Sequence, residues 1–217
     1  MVRARVALRS APRCAICARL AKICVCHDAE PMQLRTRLCV VAHVLELEKT
    51  TNTGWVAARM VAGSEVLVHG RRFNSEDALI RDEIASEPDF TGWRPMVLFP
   101  TENAALLTPA LADGLPVTLI IPDGTWAQAR RMHNRIPWMA ALPHVTLPHT
   151  DRRSGYLLRT SDRENRVSTM EAIAIALGIL ESQAAESEML RIFQLLVRRT
   201  MAARGTPVAN EKPLRTA

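Results

Sequence analysis

Five apolar runs of six to ten residues recur along the chain, each closed by proline, glycine or a polar cluster: RLCVVAHVLE (37–46), EVLVHG (65–70), RPMVLFP (94–100), PVTLIIP (116–122) and PHVTLP (143–148). They are continuous rather than alternating, as strands buried on both faces are. Between and after them lie segments with helical spacing or helix punctuation. These are TNTGWVAARMVAG (51–63), SEDALIRDEIA (75–85), a short stretch near 103–112, TWAQARRMHNR (125–135), STMEAIAIALGILE (168–181) and SEMLRIFQLLVRRTMAAR (187–204). Strands alternating with helices predict an α/β fold, with a mostly parallel sheet flanked by helices and functional loops at the strands' C-terminal ends.

The 217 residues suit one domain with a small appendage, and 48% hydrophobic with 23% charged residues is an ordinary globular composition. No window reaches the roughly 18 apolar residues of a membrane span. The N-terminus MVRARVALRSAPR is Arg-rich, as mitochondrial presequences are, but lacks the apolar stretch of a secretory signal, and a cytoplasmic location is expected. Residues 1–38 hold eight basic side chains against two acidic ones, which accounts for the whole net charge of +6. Clustered cations of this kind suit a polyanionic partner.

That basic segment also carries Cys14-Ala-Ile-Cys17 and Cys24-Val-Cys26. Two close cysteine pairs across a short loop can supply four thiolates to a tetrahedral Zn²⁺, although the C-x-C half is tighter than usual. Disulfides or unligated thiols are the alternatives, and His27 offers a substitute for one thiolate. Cys39, alone in an apolar run, reads as a small buried hydrophobe. The divisions expected are a zinc-binding knuckle at 1–33, a catalytic α/β domain at 34–205 and a flexible tail at 206–217.

The chain has no G-x-G-x-x-G, no Walker A sequence and no G-x-S-x-G elbow. Three polar clusters follow apolar runs instead. In the first, His43 and Glu46 precede Lys49, Thr50, Asn52, Thr53 and Gly54 at a helix start, where free N–H groups can hold an anion or simply be capped. In the second, Asp123-Gly-Thr-Trp126 ends the run 116–122. Thr125 and Gln128 form a capping box that leaves Asp123 free, or Asp123 is itself the cap. Trp126 either stacks on a base or packs on the sheet. In the third, Arg152, Arg153, Arg159, Arg163 and Arg166 crowd the approach to Ser168-Thr169-Met170-Glu171, a second capping box.

The order C-x₂-C…C-x-C, H-x-x-E with T-N-T-G, D-G-T-W after an apolar strand, and S-T-x-E-A opening a late helix resembles the DTW-domain family from about Cys14 to about Arg199. The resemblance implies a tRNA-uridine aminocarboxypropyltransferase, which moves the 3-amino-3-carboxypropyl group of S-adenosylmethionine to N3 of a tRNA uridine. It also implies a fold similar to the SPOUT class, in which a trefoil knot cradles the cofactor.

On that reading the donor's carboxylate calls for Arg159 or Arg166 and the 50–54 turn, with Thr53 and Gly54, and its ammonium calls for Glu46 or Asp123. His43, Ser168, Thr169 and Glu171 complete the expected donor site. Asp123, Thr125 and Trp126 are the expected catalytic group, with Trp126 stacking on uracil or adenine. Cys14, Cys17, Cys24 and Cys26 would hold zinc, and the Arg-rich knuckle would dock tRNA. A methyltransferase using the same donor and a non-catalytic zinc-containing RNA-binding protein are the competing readings.

Overall fold

A computed structural model describes residues 12–17, 19–47, 49, 52–73, 78–148 and 167–205. In chain order its elements are β1 (Thr36–His43), α1 (Gly54–Arg59), β2 (Glu65–Phe73), β3 (Leu79–Glu83), β4 (Arg94–Leu98) and β5 (Ala105–Leu106). They continue with β6 (Val117–Asp123), α2 (Trp126–Arg135), α3 (Pro137–Ala141), β7 (His144–Thr146), α4 (Thr169–Leu180) and α5 (Gln183–Ala203), and single 3-10 turns lie at Ala21–Ile23, Val44–Glu46 and Pro109–Ala112.

The strands form one sheet in the order β3-β2-β1-β6-β4-β7-β5. All pairings are parallel except β2 with β3. β1 and β6 lie at its centre and are buried almost throughout, as their continuous apolar runs require. Their side chains alternate between two cores. Leu38, Val40, Val117, Leu119 and Ile121 meet α1, α4 and α5 on one face. Cys39, Val41 and Ile120 meet Ala129, Met132, Ile136 and Met139 of the α2–α3 region on the other. In α5 the buried residues Met189, Ile192, Phe193, Leu196, Val197 and Thr200 form one helical stripe.

In the described part of the helix expected over 75–85, residues 78–85, Leu79–Glu83 is instead a strand antiparallel to β2, with Arg71 opposite Asp82 and Arg72 opposite Arg81. A helix there would need to bury its apolar stripe, and Leu79 and Ile84 find no cover. Leu79 is 51% and Ile84 81% exposed. The hairpin instead supplies β2's open edge with backbone partners. The short helix near 103–112 resolves into the two-residue β5 and the proline-initiated turn Pro109–Ala112. The run 37–46 splits at His43, where the strand passes into the 3-10 turn Val44–Glu46.

The chain leaves β1 toward β2 on one side of the sheet and leaves β6 toward β7 on the other. The crevice beyond the C-terminal ends of β1 and β6 is therefore the point where the winding reverses, the usual ligand position in open α/β sheets. Any knot depends on the path of 149–166, which lies outside the described residues, as do 1–11 and 206–217.

Candidate active site

Asp123 ends β6 directly at that crevice and is 5% exposed. One carboxylate oxygen accepts a 2.8 Å hydrogen bond from Asn52 Nδ2 and the other a 2.6 Å bond from the Thr169 hydroxyl. The carboxylate thus ties the loop before α1 to the first residue of α4. Asn52 Oδ1 in turn accepts from the Trp55 backbone N–H at 3.0 Å, which satisfies an otherwise open donor of α1. Thr53 Oγ1 accepts from the Met170 N–H at 3.4 Å, a second tie between the helix starts.

Gly54 makes this proximity possible. A Cβ on residue 54 would lie 2.7 Å from Asp123 Cγ and 2.8 Å from Oδ2, inside any tolerated contact. Asp123 is not the cap of α2. Thr125 Oγ1 accepts from Gln128 N at 3.3 Å and the Gln128 side chain accepts from Thr125 N at 2.7 Å, a complete capping box. Ser168 and Glu171 form the second box, with the Ser168 N–H donating to Glu171 at 2.7 Å.

Beside Asp123 opens a cavity of about 300 Å³ at the C-terminal ends of β4, β6 and β7. Its walls are mainly apolar, with Leu98, Phe99, Ile121, Val145 and Leu147 on one side and Ala172 and Ile175 of α4 on the other. Gly124, Ser168 and Thr169 supply the polar edge. Such a pocket, apolar with a few convergent polar groups, suits a small organic ligand. Trp126 borders it, 42% exposed, with its ring tilted against Phe99 at 6.2 Å. The Asp123 carboxylate lies behind Thr169 rather than on the cavity wall itself.

His43 stands at the end of β1, where its Nδ1 accepts from the Leu45 N–H at 3.2 Å. Glu46, 2% exposed, receives Lys49 Nζ at 2.5 Å. Both side chains belong to the β1 side of the crevice and do not line the cavity. Thr50, Arg159 and Arg166 lie outside the described residues. The sequence marks Asn52 only as one of the polar residues at the start of α1, and Phe99 only as part of the run 94–100, with no separate site role for either. The T-N-T-G motif held a signal for Asn52, since an amide three residues before a helical N–H is a cap in waiting.

Burial holds the His43, His69 and His144 imidazoles below the ordinary histidine range, with neighbouring Arg135 adding to the effect at His69 and His133 adding to it at His144. An unfolded chain takes up protons on these groups near the reference value of about 6.5, whereas the folded chain does so only at lower pH. Their contribution to stability is therefore complete above about pH 6.5 and is lost as pH falls. Melting temperature should drop between pH 7.5 and 5.5, and His144→Asn should flatten that slope.

The four knuckle thiols have their Sγ atoms all within 4.8 Å of one another, with Cys17 and Cys24 at 3.7 Å. That separation matches the edge of a tetrahedron with metal–sulfur bonds of about 2.3 Å. His27 is exposed and outside the group. Backbone N–H groups of Ile16 and Cys26 donate to Cys14 and Cys24 Sγ at 3.4 and 3.3 Å, as second partners of thiolate ligands do. The Cys17 N–H leads in holding the Cys14 thiol down at about 6, while burial pushes Cys24 and Cys26 up. Four thiolates this close need a cation between them, and the set fits a metal ion. Cys39, fully buried in the opposite core, is pushed up to about 12 by burial and is an inert packing residue.

The knuckle is pinned to the body of the protein. Leu20, Ile23 and Val25 enter the core, and Arg199 of α5 forks onto Asp28 at 2.5 and 2.8 Å while donating to the Cys24 carbonyl.

A mostly parallel sheet with a buried acid at its reversal point, an apolar cavity beside it and a cluster of four thiols in the N-terminal knuckle define an α/β protein with a small-ligand cavity. The sequence profile of the DTW domain matches residues 11–201, and the chain belongs to the DTW domain family. It is 32% identical over 192 residues to tRNA-uridine aminocarboxypropyltransferase 2 of Macaca fascicularis, an alignment covering 85% of this chain and 62% of that one. The protein of the same name from Drosophila melanogaster is 26% identical over 175 residues, covering 79% and 67%. The chain thus spans a little under two thirds of the mammalian relative. Among solved structures, the SAM-dependent rRNA:acp-transferase Tsr3 from Vulcanisaeta distributa is similar at 18% identity and a TM-score of 0.49, over 78% of this chain and 79% of that one.

Proposed function

We propose that the protein transfers the 3-amino-3-carboxypropyl group of S-adenosylmethionine to N3 of a uridine in tRNA. The observation that carries this reading is the D-G-T-W strand end with its carboxylate locked at the β1–β6 crevice, in a chain whose relatives are named for that transfer. In the reaction a bond forms between uridine N3 and Cγ of the donor's methionine moiety, and the Cγ–sulfur bond breaks. Its electron pair neutralises the sulfonium, methylthioadenosine leaves, and the N3 proton passes to a base.

The residues of this chain divide the work by position. The apolar cavity takes the flat nucleoside portion of the donor and keeps water from it. Asp123, immobilised by its two hydrogen-bond donors, fixes the loop 52–54 and the α4 start on either side of the reacting chain. Its role is to set which carbon of the sulfonium faces the nucleophile, a matter of geometry on the scale of an ångström. With Asn52 and Thr169 on its oxygens it is better placed to position than to take the N3 proton. Trp126 stacks on the uracil at the cavity mouth.

Cys14, Cys17, Cys24 and Cys26 would hold a structural Zn²⁺, whose part is to stabilise the knuckle rather than to take part in the transfer. The exposed Arg130, Arg131 and Arg135 of α2 give the tRNA backbone a cationic approach to Trp126.

The by-product tests this reading. Incubated with tRNA and donor, the protein should release methylthioadenosine in step with tRNA modification. Release of S-adenosylhomocysteine instead would mean methyl transfer. Trp126→Ala should lower activity on tRNA by about 5- to 150-fold, since one stacked base is worth about 1–3 kcal/mol. Its melting temperature should move by no more than a few degrees, because the ring is 42% exposed.

A further inference from the structure

Arg19 lies in the cysteine knuckle, between Cys17 and Cys24, yet its side chain does not face solvent as a tRNA-docking cation would. It is 6% exposed, and its guanidinium donates through Nη2 to the backbone carbonyl of Asn52, 33 residues along the chain. Among the described residues the buried Nε has no hydrogen-bond partner, and no carboxylate forms an ion pair with the group. Burying a cation on a neutral carbonyl is costly, so a structural role alone is a poor account of it. What the contact achieves is control of Asn52. That residue's backbone is gripped by Arg19, while its side chain holds Asp123 at 2.8 Å and the α1 N–H at 3.0 Å.

We infer that Arg19 is a positioning residue of the donor site: the cysteine knuckle, through Arg19 and then Asn52, sets the place of the Asp123 carboxylate. The knuckle then helps to place the group that stands behind the donor pocket, and is not only an RNA-facing segment. The inference rests on the function proposed above. Its chain of contacts runs from the loop between the metal-ligating cysteine pairs to the end of β6. Arg13 to Leu20 are bridged as a small hairpin, with the Cys14 N–H on the Arg19 carbonyl at 2.7 Å, so the same turn that presents the cysteines aims Arg19 inward.

The test uses the full chain and measures S-adenosylmethionine affinity by calorimetry, tRNA affinity by filter binding, and bound zinc. Arg19→Gln should weaken donor binding about 10-fold or more, a scale consistent with displacement of a positioned group. Zinc content should stay at the wild-type value and tRNA affinity should change less than about 2-fold, because one of many phosphate contacts at most is involved. Arg19→Met, which retains the buried stem, should give the same result where the glutamine variant folds poorly, and Arg19→Lys should recover part of the affinity.

Because Arg19 acts through Asn52, Arg19→Gln combined with Asn52→Ala should bind the donor no worse than Asn52→Ala alone. Wild-type donor affinity in Arg19→Gln or Arg19→Met, a loss confined to tRNA binding, or additive losses in the double variant would each overturn the inference. A wild-type protein that binds no donor at all would overturn the proposed function, and this inference with it.

Discussion

Replacing Gly54 with alanine should cost about 100-fold in transfer activity, although by local helix energetics the change is favourable. Alanine is preferred to glycine in a helix by roughly 1 kcal/mol, and Gly54 has no unusual backbone angle to defend. The obstacle is the Asp123 carboxyl, whose Cγ would stand 2.7 Å from the new methyl group. The far end of that contact is not a loose side chain. Asp123 is fastened by Asn52 and Thr169, so a shift that relieves the clash must lengthen the 2.8 and 2.6 Å bonds. Overpacking of this kind costs about 1–3 kcal/mol of stability, while a displacement of about 1 Å at a reacting centre costs about 100-fold in rate. The expected result is therefore a folded protein, a few degrees less stable, with activity nearly gone. Full activity in Gly54→Ala would show that the position of the Asp123 carboxylate does not matter to the reaction.

Replacing Cys24 with serine, or stripping the metal that the four thiols would hold, should be the most damaging change to stability. Cys24 is buried, and its carbonyl also receives Arg199 from α5, so the cluster is continuous with the packing of the longest helix. Without a cation, close thiols must either stay protonated or repel one another, and the hairpin that turns Leu20, Ile23 and Val25 into the core loses its clamp. Metal binding to a site absent from the unfolded chain adds directly to folding free energy. A loss of at least about 3 kcal/mol is expected, which lowers the melting temperature of a chain this size by roughly 6–12 °C. The check is elemental analysis for one zinc per chain, followed by melting curves with and without a strong chelator. An unchanged melting temperature in chelator would count against a structural metal.

Much of this architecture is visible in the sequence because its signals are local. The Pro- and Gly-bounded apolar runs mark the five main strands, and Thr125 with Gln128 and Ser168 with Glu171 mark two helix starts to the residue. The four thiols fall together because their spacing leaves little freedom for anything else. What is not visible is whatever depends on long-range pairing. The segment 75–85 has the apolar spacing of a helix, yet Leu79 and Ile84 have no core to face, and pairing with β2 decides its state.

The insertion of β6 between β1 and β4 has no local code, and it is this that places Asp123 beside Asn52, 71 residues away in the chain. Arg19 was legible only as one charge among eight; burial alone separates it from its neighbours. The Arg-rich approach to Ser168, with Arg159 and Arg166, belongs to residues outside those described.

The central claim is the identity of the group transferred, and labelled donor measures it most directly. Two parallel incubations of the protein with tRNA would use S-adenosylmethionine labelled in the carboxyl carbon or in the methyl carbon. The carboxyl label should enter tRNA, be retained on a modified uridine after digestion to nucleosides, and fall to background with Asp123→Asn. The methyl label should leave with the thioether by-product. Methyl label in the tRNA, or no label from either donor, would contradict the account.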